Sequence, residues 1–200
     1  MSYGLWRIGL KCASNVELQF VRFMSVLVVG SVAYDTVVTS AGSREDALGG
    51  SATFFSVSCS FFTQVGLVAV VGDDFRKEDV QLLKTRGIDT SGLDQTEGKT
   101  FRWSGVYDTE DVNTRSTLDT QLNVFSGFSP KLTIKQRKTP YVFLANIDPD
   151  LQMSVLKQVE DKPKLLALDT MNYWISGKNR SLRRVVQEID VLFIDEAEVR

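Results

Sequence analysis

Five short apolar runs constrain this chain more than anything else in it: "SVLVVG" at 25–30, "VGLVAVVG" at 65–72, "YVFLANI" at 141–147, "KLLALDT" at 164–170 and "VLFID" at 191–195. Each is rich in β-branched or aliphatic residues and suits a strand of a parallel sheet, and the runs at 25–30 and 65–72 suit strands buried in a sheet covered on both faces. Parallel strands need long crossovers, and helical patterns stand between the runs at 50–62, 73–87, about 150–159 and about 177–189. The expected class is therefore α/β. "DDFRKEDVQLLKTRG" at 73–87 is acidic early, basic late and closed by Gly87, with Leu82 and Leu83 expected to face inward. The helix over 50–62 is expected to pack through its aromatic side.

The remaining segments read as exposed structure. "DTVVTS" at 35–40 reads as a short polar-edged strand, "KTFRWSGVY" at 99–107 as an exposed strand, and "IDTSGLD" returns to an edge. The polar tract 108–121 is predicted to be irregular, the kind of long excursion that forms a lid or a binding edge. Residues 1–23 have no clear period and read as an amino-terminal extension, so the folded domain is expected to span 24–200.

Composition narrows the chemistry. The 200 residues contain no histidine, which excludes a Ser-His-Asp triad, a Cys-His pair and an HExxH zinc site within them. The two cysteines, Cys12 and Cys59, lack CxxC or metal-like spacing and suit reduced thiols in a cytoplasmic protein, with Cys59 as core filling. A net charge of -2 with both signs scattered gives no footprint for nucleic acid, and no stretch is apolar for the roughly 18 residues of a membrane span. A small molecule is the expected ligand. Its chemistry must rest on carboxylates, Lys or Arg, backbone amides and a metal held by oxygen. "GSVAYD" breaks the GxGxxG dinucleotide fingerprint after Gly30, and "GKT" at 98–100 has its upstream glycine one residue too far for a phosphate loop and leads into a strand.

The candidate site residues follow from where the runs end. Asn146 and Asp148, Asp169 and Asn172, and Asp195 and Glu198 each follow a strand, and ligands of open α/β sheets sit outside the carboxyl ends of the strands. Asp35 follows the first strand, where a carboxylate accepts hydrogen bonds from a polyol; a turn or cap aspartate is the alternative. In "DALGGSATFFSVS", Gly49 and Gly50 precede Ser51 and a helix whose free amides would reach ligand oxygens, whereas an ordinary turn explains a glycine pair equally well. For Asp169 and Asn172 the alternative is a cap on the next helix.

"VLVVGSVAYD", "ALGGSATFFSVS", "VGLVAVVGDDF", "LALDTMNYWI" and "LFIDEAEVR", in this order and spacing, resemble the amino-terminal two-thirds of a PfkB (ribokinase-like) carbohydrate kinase. The resemblance implies a Rossmann-like αβα sandwich with a mostly parallel sheet and a small β lid, incomplete at the carboxyl terminus, with lid strands at about 36–40 and 99–107. It implies ATP and Mg2+ as cofactors and phosphorylation of a hydroxymethyl group on a sugar, the expected acceptor because no feature of the sequence specifically asks for a base, with a nucleoside (adenosine-like) kinase as the alternative. Asp35 would bind substrate hydroxyls, Gly49, Gly50 and Ser51 would form the segment against which the sugar packs, and Phe101, Trp103 or Val106 would cover it. Ordinary packing within the lid accounts for those three equally well. "DEAE" at 195–198 falls where the family carries NxxE, which helps place magnesium and phosphate; Glu198 matches and would act on the metal through water, while Asp195 replaces the usual asparagine. Asp169 and Asn172 would lie near the phosphates.

The family's catalytic base belongs to a Gly-Ala-Gly-Asp segment that does not occur in these residues and is expected beyond Arg200. The resemblance thus implies an incomplete kinase with no catalytic residue of its own and little activity alone. A non-catalytic sugar- or nucleoside-binding remnant is the alternative function. Lid strands of this family pair between subunits, so a homodimer is consistent with it.

Overall fold

The structure, a computed structural model, describes residues 26–110, 115–160 and 162–199. The expected extension over 1–23 lies outside them. The chain runs through β1 (Val26–Val29), β2 (Ala33–Thr39), β3 (Gly42–Gly49), α1 (Ser51–Ser60), β4 (Val65–Gly72), α2 (Lys77–Thr85), β5 (Asp89–Thr96), β6 (Phe101–Tyr107) and β7 (Arg115–Gln121). A 3-10 turn at Asn123–Gly127 leads to α3 (Ile134–Arg137), β8 (Tyr141–Leu144), α4 (Pro149–Leu156), β9 (Leu165–Asp169), α5 (Asn172–Gly177), α6 (Asn179–Val186), β10 (Val191–Phe193) and α7 (Glu196–Val199).

All five apolar runs become neighbouring strands of one six-stranded sheet, ordered β10-β9-β8-β1-β4-β5 and parallel throughout. The reason is visible in side-chain direction. Val28 of β1 and Leu67, Ala69 and Val71 of β4 enter one core cluster, whereas Leu27, Val29, Val68 and Val70 enter the other. In β1 and β4 both faces are buried, so both sets of alternating positions are apolar, whereas Val191, Leu192 and Phe193 of the edge strand β10 are exposed.

The second sheet has four strands, ordered β3-β2-β6-β7, with β2 and β6 parallel and the outer pairs antiparallel. It is the lid. The tract 108–121, expected to be irregular, contains β7, and the strand β3 falls in "GSREDALG", which carried no strand signal. Both outer strands are mostly exposed on both faces. Without a buried face nothing selects alternating apolar residues, so a periodicity argument cannot see such edges.

Two packing expectations need correction. Helix α1 buries Ala52, Thr53 and Ser56 on the sheet, with Phe55 stacked on Phe143 at 3.7 Å between centroids; Phe54, Phe61 and Phe62 point outward. Small residues let the helix lie close to the sheet, which leaves no room beneath it for more phenyl rings. In α2 Leu83 is fully buried while Leu82 is 42% exposed, since consecutive helical positions diverge by about 100°.

The turn "VGDDF" clamps the lid to the core. Asp74 accepts hydrogen bonds from the Thr100 amide (2.7 Å) and hydroxyl (2.6 Å) and pairs with Arg102 at 2.8 Å, while Thr100 Oγ1 accepts from the Gly72 amide at 3.0 Å. Burial opposes the charge on Asp74, but the Thr100 bonds and the Arg102 guanidinium outweigh it and hold the carboxyl below its usual range. A group with a depressed pKa stabilises the fold above its unfolded-state pKa and loses that contribution as pH falls. Asp74→Asn is therefore expected to lower the melting temperature by about 4–8 °C at pH 7, from roughly 2 kcal/mol of charged hydrogen bonding. Heat denaturation at pH 7 and pH 3 checks this, and the gap should narrow at the acid end.

Candidate functional site

Strand order reverses between β1 and β8: one half of the sheet grows through β4 and β5, the other through β9 and β10. At such a switch point the loops leave in opposite directions and open a crevice at the carboxyl ends. A cleft lies there under the lid. Ser31, Gly50 and Ser51 line it from the β1 and α1 side, Asn146, Asp169 and Thr170 from the ends of β8 and β9, and Asp195 and Glu198 from the end of β10. Phe101, Trp103, Tyr107, Arg115 and Thr117 reach it from the lid, and Phe54 and Phe193 complete an aromatic wall.

Asp35 projects into this cleft from β2, and its carboxylate accepts the Gly50 amide. Desolvation pushes its pKa up to about 6, and the Gly50 bond only partly offsets that. The glycine pair builds this arrangement. A Cβ on Gly49 would overlap the Asp35 carboxylate, and one on Gly50, which has φ of 90°, would overlap the Ser31 carbonyl. The bareness of both positions thus serves the protein's own close approaches, with Gly50 lining the cleft and Gly49 behind Asp35.

The expectation that α1 opens with free amides is corrected by the same geometry. The Gly50 amide goes to Asp35, the Ser51 amide to Ser31 Oγ at 3.2 Å, and the Ala52 amide to the Ser31 carbonyl at 3.1 Å. Ser51 is also occupied: its hydroxyl accepts the Asn146 amide at 2.9 Å and pins α1 to the end of β8.

The nearby backbone amides of Asn146 and Thr170 favour the charge on Asp169, but burial first, then the charge of Glu198, raises its pKa to about 6. Asn172 is exposed at the start of α5 and is absent from the cleft lining. Met171 occupies the cap of α5, which has no side-chain cap, so neither Asp169 nor Asn172 caps that helix. Asn146 Oδ1 and Thr170 Oγ1 are buried without a hydrogen-bond partner. Buried polar atoms of this kind call for water or a ligand.

"DEAE" folds as a reciprocal cap. Asp195 Oδ1 accepts the Glu198 amide at 2.9 Å, and Glu198 Oε2 accepts the Asp195 amide at 3.1 Å. Arg115 reaches the other two oxygens, Asp195 Oδ2 at 3.2 Å and Glu198 Oε1 at 3.5 Å. Among the described residues no group of three or more His, Cys, Asp or Glu is placed to hold a metal. The oxygen donors of Asp195 and Glu198 fit an outer-sphere role toward a hydrated Mg2+, which keeps several of its waters. Burial raises the Glu198 pKa, which the Asp195 amide and Arg115 counter.

Sequence reasoning missed Arg115, Tyr107 and Thr117. For β7 the available signal was the i, i+2 spacing of Arg115 and Thr117, the two residues of that strand that line the cleft.

No family model matches the chain. A cytidine kinase of Thermococcus kodakarensis is 26% identical over 177 residues, 88% of this chain and 63% of that protein. Among solved structures, ribokinase from Giardia lamblia superposes with a TM-score of 0.71 at 16% identity, over 88% of this chain and 58% of its own. The fold is ribokinase-like. A ribokinase from Cryptococcus neoformans in complex with ADP gives 0.70 at 16% identity, and a nucleoside kinase from Methanocaldococcus jannaschii gives 0.65 at 18%, each over 88% of this chain. The chain spans less than two thirds of the length of these relatives, 58–63% of each. The resemblance to PfkB kinases and the αβα core with a small β lid both stand. No helix among the described residues is long and apolar enough to cross a membrane.

Proposed function

We propose that this chain forms the acceptor-binding part of a PfkB-type kinase, which moves the terminal phosphoryl group of ATP to a hydroxymethyl group of a nucleoside or sugar. The observation that carries this reading is the half-buried, desolvated Asp35 carboxylate beside the Gly50 amide beneath a lid. A desolvated carboxylate with a free acceptor lobe binds paired hydroxyls strongly, because charged hydrogen bonds gain strength away from water. Asn146 Oδ1 and Thr170 Oγ1 add polar atoms without partners.

Between the two acceptor classes, the aromatic wall favours a nucleoside. Phe54, Trp103, Tyr107 and Phe193 line a cleft that holds Asp35, and a base offers a π-face to stack where a free sugar does not. The cytidine kinase that is 26% identical supports that choice. ATP supplies the phosphoryl group and Mg2+ neutralises its charge when they are bound. Asp195 and Glu198 would face that group, while Asp35 would orient the acceptor and the lid would exclude water. The exposed edge β3 is the surface through which a second lid would pair in a homodimer.

The chain contains no Gly-Ala-Gly-Asp segment, so binding without turnover is expected of the 200 residues alone. Thermal shift against a panel of nucleosides and sugars, beside an ATP-dependent product assay, tests both parts. Stabilisation by a nucleoside with an intact ribose diol and no phosphorylated product is the expected result. Stabilisation by none of the panel would remove the acceptor-site reading, and turnover at an ordinary kinase rate would remove the binding-only part.

A further inference from the structure

Among the described residues that line the cleft Arg115 is the single cation, and it belongs to the outer lid strand β7. Its guanidinium spans from the lid to the core, with Nη1 on Asp195 and Nη2 on Glu198. The two carboxylates lie 80 or more residues further along the chain, at the end of β10 and in α7. They are already locked to each other by the reciprocal cap, so their outward oxygens form a preorganised fork. Glu198 is 5% exposed at its side chain, and Arg115 pairs with it across the cleft at 3.5 Å. A planar guanidinium that meets two carboxylates in fixed positions gives direction as well as attraction.

We infer that Arg115 is a positioning residue that latches lid strand β7 onto the Asp195–Glu198 pair. Asp195, where the family pattern has a neutral asparagine, is the matched half of that latch. The aspartate supplies the second charge the arginine needs, and the arginine offsets the repulsion that a second carboxylate adds beside Glu198. An asparagine at 195 would still cap α7 through its amide oxygen, but it would hold the lid with one ion pair instead of two. The role of the latch in acceptor binding rests on the kinase reading given above. The latch itself does not, since it is a contact within the protein.

Hydrogen exchange of β6 and β7 amides on the 200-residue chain, without nucleotide or acceptor, tests the latch apart from that reading. Arg115→Gln is expected to speed exchange in both strands about five-fold, the size of one or two partly exposed ion pairs, and leave β1, β4 and β8 unchanged. Asp195→Asn should give part of that increase, the double variant no more than Arg115→Gln alone, and Arg115→Lys a partial return. Raising ionic strength should accelerate lid exchange in the parent chain and not in Arg115→Gln, which a packing role would not produce. Should Arg115→Gln fail to fold, Asp195→Asn and the salt series on the parent chain carry the same test. Salt-independent exchange, or additive effects of the two substitutions, would overturn the inference. Absence of any acceptor binding with the exchange pattern intact would remove the kinase reading and leave the latch standing.

Discussion

Gly50→Ala is expected to lower the melting temperature by about 10 °C and to abolish acceptor binding, the largest combined loss of any single methyl group in the cleft. Two effects act together. At φ of 90° an alanine is strained wherever it sits, and its Cβ would overlap the Ser31 carbonyl carbon and oxygen and press on the Ala33 amide. Backbone strain and overpacking each cost on the order of 1–3 kcal/mol. The segment from Ser31 to Ala33 joins β1 to β2, so it cannot retreat without moving Asp35 on the same strand. Gly49→Ala should separate the two readouts: its Cβ meets the Asp35 side chain, which is able to rotate away, so binding is lost with a smaller stability cost. Gly127→Ala, with nothing within 4 Å of the added carbon, serves as the control and should change stability by less than about 0.5 kcal/mol. Calorimetry of the three variants, beside a binding isotherm for each, would check the order. A Gly50→Ala chain as stable as the Gly127→Ala control would show that α1 and the β1–β2 connection are not pressed together as described.

That glycine also shows which parts of the molecule are legible in the sequence. The six-stranded core was readable because each of its central strands is buried on both faces, and burial on both faces leaves an apolar run that no other element of that length produces. The rim was readable for a related reason: a parallel sheet puts all its carboxyl ends on one side, so Asp169, Asp195 and Glu198 reach one cleft from the ends of β9 and β10, and Asp35 meets them there from lid strand β2. The lid was only half readable. β6 carries Phe101, Trp103 and Val106, whereas β3 and β7 are polar edges whose pairing is decided by partners and not by pattern. Arg115 was hidden for that reason, since a lone arginine in a polar tract has no meaning until its strand is placed over Asp195. The same limit governed Asn172, which shares the rim in sequence but stands at the start of a separate short helix, outside the cleft.

Asp35→Asn is expected to make the chain more stable above pH 7 and at the same time 10- to 100-fold weaker in acceptor binding, the loss of a charged hydrogen bond. The sign follows from burial. The Asp35 pKa is about 6 in the fold against 3.8 for a free carboxyl, so the folded chain binds a proton more tightly than the unfolded one. Stability is then greatest below pH 4, declines as pH rises from about 4 to about 6, and stays at the lower level beyond. At 1.36 kcal/mol per unit the decline is roughly 3 kcal/mol for a fully desolvated group and less with water in the open cleft. Asp169, pushed to the same value largely by the same burial, adds a parallel decline that Asp35→Asn leaves in place, so the variant should retain about half of the slope. An asparagine oxygen still accepts the Gly50 amide, which keeps the local geometry while removing the charge. Acceptor affinity in the parent chain should rise through pH 6 as the carboxylate ionises, and the variant should show no such rise. Urea unfolding from pH 4 to pH 8, paired with binding isotherms at the same values, measures both. A variant less stable than its parent at pH 8 would mean that the carboxylate is held there for the fold, and the acceptor role of Asp35 would fall. The opposite pairing, stability gained and affinity lost, is what a charge kept at a cost to folding produces when its purpose is to bind.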